Sequence, residues 1–115
     1  MHMVTGVVQE GHRRGAALGF PTANIALEDK ALSGIYTANV HVGDHTYDAA
    51  VYADQARGLL EAHLLDFSGE LYGTAITVEL LEKIRDSRNF EDDIALRAAI
   101  ADDIARTREY FKNHQ

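Results

Sequence analysis

Ile35–Tyr52, IYTANVHVGDHTYDAAVY, decides the fold. In its first half, Ile35, Thr37, Asn39 and His41 fall on one face of an extended chain. Tyr36, Ala38, Val40 and Val42 fall on the other, the period of two that a β-strand imposes. Gly43–Asp44 is a two-residue loop of the kind that joins antiparallel neighbours. The stretch therefore predicts a hairpin, with His45–Tyr52 as the partner of Ile35–Val42.

Working outward, Val4–Gln9 and Thr22–Leu27 are short and alternating enough to be strands, as are Leu60–Phe67 and Ala75–Leu81. Between the first two lies EGHRRGAALG, residues 10–19, whose three glycines predict a flexible flap. Pro21 fixes its own φ and pushes Phe20 into an extended conformation, so the chain leaves this loop straight into a strand. The spacing changes after Asp93. Leu96, Ile100, Ile104 and Phe111 recur at helical intervals, with Ala98, Ala101 and Ala105 widening the apolar stripe. Asp92 or Asp93 serves as the N-cap, and the acidic run Glu91–Asp93 suits the positive end of the helix dipole. Six strands and a terminal helix predict a small closed β-barrel with the helix packed outside it, since closure removes the exposed edges of an open sheet.

The 115 residues are enough for one domain, 1–115, and too few for two. With no cysteine, neither a disulfide framework nor a thiolate metal site is available. No apolar run reaches membrane-spanning length, and MHMVTGVVQE lacks the features of a secretory leader, so a cytoplasmic protein is expected. The net charge of −7 makes nucleic acid and anionic membrane surfaces poor partners.

Candidate chemistry begins at Thr22 and Asn24. Two residues apart on a strand, they present a hydroxyl and an amide oxygen side by side. Beside a loop rich in backbone N–H groups, such a pair suits a magnesium–phosphate complex. In Glu61–Phe67, alternation groups Glu61, His63 and Leu65 on one face and Ala62, Leu64 and Asp66 on the other. Spacing alone favours a solvent-facing Glu61, because buried acids are uncommon; the functional alternative is a general base. His63 reads as a hydrogen-bonded structural histidine, and His41 and His45 flank a hairpin loop, a poor metal site. Arg85, Arg88 and Phe90 suit a clamp on a planar ligand or a phosphate, or else are surface charges beside a core ring. Neither GxxxxGK[ST] nor GxGxxG is present.

In order along the chain, GHRRGAALGFPTANI, GIYTANV, LEAHLLDFSGELYG and KIRDSRNF resemble the riboflavin kinase family, over nearly the whole length. The resemblance implies a mostly β fold, a six-stranded antiparallel Greek-key barrel with a C-terminal α-helix. It implies ATP-dependent phosphorylation of the riboflavin 5′-hydroxyl to give FMN and ADP, with Mg2+ required. By resemblance, Thr22 and Asn24 hold the metal and the nucleotide phosphates, and Glu61 is the base. Gly11 and Gly15 bound the flap over the phosphates. Leu64, Asp66 and Tyr72 lie near the nucleotide, and Arg85, Arg88 and Phe90 cover the flavin. In bacteria such a module is usually the C-terminal half of a bifunctional enzyme, so a fused or associated FAD synthetase domain is an expected partner. Two departures stand out. Arg13 and Ala16 replace a glycine and a basic residue usual in the flap, and the connection between Tyr52 and Leu60, ADQARGL, is shorter than usual. They motivate an alternative, a non-catalytic flavin- or nucleotide-binding module derived from a riboflavin kinase.

Overall fold

The structure is a computed structural model that describes residues 2–10 and 14–114, with Arg14 and Gly15 described by their backbone alone. Six strands precede one long helix: β1 (His2–Val7), β2 (Ala23–Ala26), β3 (Gly34–Val42), β4 (His45–Asp54), β5 (Leu59–Leu64) and β6 (Ala75–Arg85). A single helical turn, α1 (Arg14–Ala17), sits between β1 and β2, and α2 (Asp93–Asn113) ends the chain. The strands are ordered β1-β6-β3-β4-β5-β2, every neighbouring pair antiparallel. The long connection that returns β6 between β1 and β3 gives the Greek-key character.

The hairpin at the centre forms as its sequence requires. Gly43 has φ 57 while Asp44 keeps a negative φ, the conformation that a glycine allows at the first position of a tight hairpin turn. The outer strands, β1 and β2, meet where the amide of Gln9 donates to the carbonyl of Asn24 at 2.8 Å. Gly6 permits this approach, since a Cβ there would stand 3.0 Å from that of Ile25. The sheet is thereby nearly closed. Its interior is filled by Ile25, Val40, Val51, Leu60, Ile76 and Val78, all fully buried.

The flap carries a helical turn over Arg14–Ala17 that its glycines do not announce. Two expectations are corrected. The fifth strand stops at Leu64, because Asp66 adopts φ 57, which no strand accommodates. In α2 the buried residues are Asp103 and Thr107, whereas Ala98, Ala101 and Ala105 are exposed. The helix is rotated so that Asp103 meets β6, and Leu96, Ile100 and Ile104 line a cavity beside the barrel. The N-cap is Asp92, whose carboxylate accepts from the Ala95 amide at 2.8 Å.

The barrel's outer face carries a row set by register. Asn24 lies opposite Glu61, Glu61 opposite Tyr52, Tyr52 opposite Ile35 and Ile35 opposite Arg85. Directly paired residues project to the same side of a sheet. This row faces away from the core, toward α2 and the segment 86–90 that leads into it.

Candidate active site

The β2–β5 pair builds the site. Ala23, Ile25, Leu60, Ala62 and Leu64 point inward and anchor both strands in the core. Thr22, Asn24, Glu61 and His63 therefore share the opposite face. The Thr22 hydroxyl donates to Asn24 Oδ1 at 2.9 Å, so the two oxygens stand together. Asn24 is 5% exposed and Glu61 only 7%. Glu61 is thus not the solvent-facing residue that spacing alone favoured. The outer face of β5 is itself covered, and alternation reports which side a residue takes but not what covers that side.

Two hollows meet at Thr22 and His63, which line both. The larger, about 400 Å³, lies between the barrel and α2 and takes in Phe20, Tyr52, Glu61, Arg85, Arg88 and Phe90. Leu96, Ile100 and Ile104 give it an aliphatic wall. The smaller, about 300 Å³, is lined by Pro21, Leu64, Phe67 and the stretch 68–71. His63 Nδ1 lies 2.7 Å from the Pro21 carbonyl, which can only accept, so the ring's proton sits on Nδ1. The Phe20 ring packs edge-on against it at 5.9 Å between centroids. His63 accordingly fixes the turn at Pro21 where the hollows join.

The remaining candidates divide. Leu64 is buried and lines the smaller hollow. Asp66 and Tyr72 line neither: Asp66 receives both terminal nitrogens of Arg108, at 3.1 and 3.2 Å, and Tyr72 is 62% exposed. The Arg108 guanidinium holds the Asp66 carboxyl below the usual carboxylate range. Arg85 is committed to Asp103, with Nε to Oδ1 and Nη2 to Oδ2 both at 2.8 Å, while Nη1 donates to the Asp86 carbonyl at 3.0 Å. It braces the cover of the cavity rather than standing free for a ligand. Arg88 lies 4.9 Å from the Phe90 ring centroid, forming a cation–aromatic lip. Gly11 lies outside the described residues, and Gly15 is described only as part of the α1 backbone.

Tyr52 and Arg57 were not singled out from sequence, although both line the larger cavity. Tyr52 opposes Glu61 in the β4–β5 ladder. Burial, then the charges of Asp54 and Glu61, push its phenol above its ordinary value, while Arg57 and a hydrogen bond with Ser87 act against them. The signal available was the hairpin register of β4 and β5, which fixes Tyr52 once Glu61 is placed. Among the described residues, no group of three or more His, Cys, Asp or Glu side chains is arranged to hold a metal. His41 instead contacts Thr46 Oγ1 at 3.0 Å and Glu79 Oε1 at 3.2 Å.

A covered acid lining one hollow, beside a pair of neutral oxygens that reaches a second, is an arrangement that can serve group transfer between two bound molecules. The riboflavin kinase family model matches residues 1–111, and the chain belongs to this family. It is 32% identical over 114 residues to a bifunctional riboflavin kinase/FMN adenylyltransferase of Pseudomonas fluorescens, covering 91% of this chain and 37% of that protein. The riboflavin kinase of Trypanosoma brucei superposes with a TM-score of 0.68 at 26% identity, over 96% of this chain and 79% of the other. A Streptococcus pneumoniae structure described as a macrolide-efflux protein superposes with a TM-score of 0.80 at 29% identity, over 92% of this chain and 38% of the other. The chain thus spans little more than a third of that bacterial enzyme's length. No helix among the described residues is long and apolar enough to cross a membrane.

Proposed function

We propose that this chain transfers the γ-phosphoryl group of ATP to the 5′-hydroxyl of riboflavin, with Glu61 as general base. The observation that carries this reading is the direct pairing of Glu61, which lines the larger hollow, with Asn24, which lines neither but is hydrogen-bonded to Thr22, which lines both. Riboflavin occupies the larger cavity, its ring against the aliphatic wall of α2 and its polyol chain running toward Glu61. ATP occupies the smaller hollow, its phosphates at Thr22.

Glu61 accepts the proton as the 5′-oxygen attacks the γ-phosphorus, the new O–P bond forms, and the bond to the bridging oxygen breaks to release ADP. A carboxylate needs only to be ionised and aimed for this role, and such a base contributes about 10²–10⁴-fold. Because phosphoryl transfer asks for alignment and charge neutralisation more than covalent chemistry, the rigid strand pair is well suited to it. Thr22 and Asn24 supply two neutral oxygens, too few for a cage built of protein alone but suited to Mg2+, which keeps waters and takes substrate phosphates as ligands. Bound there, Mg2+ would supply positive charge to offset the negative charge developing on the transferred group.

The test is to incubate the purified chain with riboflavin, ATP and Mg2+ and to separate the flavins by chromatography. FMN formed in step with ADP supports the kinase. Tight flavin binding with no turnover would instead support the non-catalytic module. A fused or associated adenylyltransferase domain, as in the bifunctional relative, would take the FMN onward.

A further inference from the structure

We propose that Arg57, braced by the buried Asp54, is a specificity-determining residue that donates hydrogen bonds to carbonyl oxygens on the ring edge of the acceptor. The inference rests on the reading of the larger cavity as the acceptor site, and it adds a contact from the short β4–β5 hairpin.

Three arginines line that cavity: Arg57, Arg85 and Arg88. Arg85 has its Nε and both terminal nitrogens engaged by Asp103 and the Asp86 carbonyl. Arg88 lies against Phe90. Arg57 differs from both. Its backbone amide donates to Asp54 Oδ1 and its Nη1 to Asp54 Oδ2, each at 3.2 Å. A guanidinium carries five N–H donors, so most of Arg57's remain for a ligand. Its side chain is 55% exposed, while that of Asp54 is 1% exposed. The brace is therefore anchored on a buried carboxylate, and the head it holds is accessible.

Position defines the ligand. Asp54 follows Tyr52 by two residues on β4 and takes the same face. Strand rise sets it about 7 Å further along the sheet than the row containing Glu61. A group held at Arg57 is thus a chain's length from the hydroxyl beside Glu61. Tyr52, half-buried, lines the same cavity opposite Glu61. An acceptor that joins a reactive hydroxyl, a short polyol chain and a flat ring bearing carbonyl oxygens meets all three. A charged donor in a partly covered site also discriminates strongly, because an acceptor lacking the carbonyl leaves it unpaired.

Arg57→Gln tests this without dismantling the turn, since the backbone half of the bracket to Asp54 is retained. The expected result is a riboflavin KM raised about 10-fold, the loss of one charge-assisted hydrogen bond. The kcat and the ATP KM should stay close to wild type, while the melting temperature falls, because the buried Asp54 carboxylate loses its guanidinium partner. The wild type should also prefer riboflavin to an analogue altered at its carbonyl-bearing edge, and the variant should lose that preference. Discrimination against an analogue altered at the benzenoid edge should be kept by both. An unchanged riboflavin KM, or a fall in kcat alone, overturns the proposal while the kinase reading stands. If the wild type binds riboflavin but makes no FMN, the kinase reading falls, and quenching of flavin fluorescence decides for Arg57: weaker binding by Arg57→Gln supports it, equal binding overturns it. A wild-type chain that neither binds nor phosphorylates riboflavin overturns both.

Discussion

Asn24 and Glu61 stand directly opposite one another in the β2–β5 ladder, both almost wholly covered. Antiparallel register fixes their side chains on one side of the sheet, with Cβ atoms about 5 Å apart. Neither can be moved relative to the other without slipping a strand whose other face is packed into the core. The candidate base and the candidate metal-binding pair are therefore one rigid unit.

Thr22→Val removes the hydroxyl that reaches Asn24 while preserving shape. The half-saturating Mg2+ concentration for FMN formation is expected to rise about 10-fold or more, since one of the metal's two protein oxygens is lost together with the hydrogen bond that aims the other. Riboflavin binding without nucleotide should be unchanged. A magnesium titration of initial rates checks this, and an unaltered magnesium requirement counts against Thr22 and Asn24 as the metal's seat.

Asp103→Ala leaves Arg85 partly buried without its carboxylate. The two side chains are 6% and 20% exposed, and breaking such a pair costs about 3 kcal/mol. Urea unfolding should read this as a lower midpoint with an unchanged slope. Because the pair ties β6 to α2 across the larger cavity, the riboflavin KM should rise as well.

Acid stability has a definite sign at Asp66. The hydrogen bond from Arg108 holds its folded-state pKa below the ordinary value of 3.8. Its contribution is therefore complete above that value and is lost as pH falls through the lower folded value. In Asp66→Asn, the melting temperature should fall short of wild type at pH 7, and the gap should narrow below about pH 4. A gap that stays constant with pH would show that the ion pair contributes nothing. The effect is expected to be small, since the pair is solvent-exposed.

The barrel was legible because its strands alternate and its turns carry their own chemistry. Gly43 marks the central hairpin, and the six predicted strands occur with shifted ends. Alternation could not report that Glu61 faces a cavity whose other walls come from α2 and residues 87–90, so it left Glu61 facing water. Asp66 looked like a strand residue because nothing local signals a left-handed aspartate. Arg85 looked available because its partner, Asp103, lies 18 residues further on, and a salt bridge between elements leaves no pattern in either. Helical spacing found α2 but not its rotation, which the Arg85–Asp103 pair sets. Tyr52 and Arg57 emerged only once the register of β4 and β5 was known.

The most direct measurement is the rate of FMN formation by Glu61→Gln beside wild type, at saturating riboflavin, ATP and Mg2+. The substitution keeps the size of the side chain while replacing the carboxylate that takes the proton with a neutral amide that cannot. The expected result is a kcat lower by about 10²-fold or more, with riboflavin affinity and melting temperature close to wild type. A variant that turns over within a few-fold of wild type would contradict the assignment of Glu61 as the base.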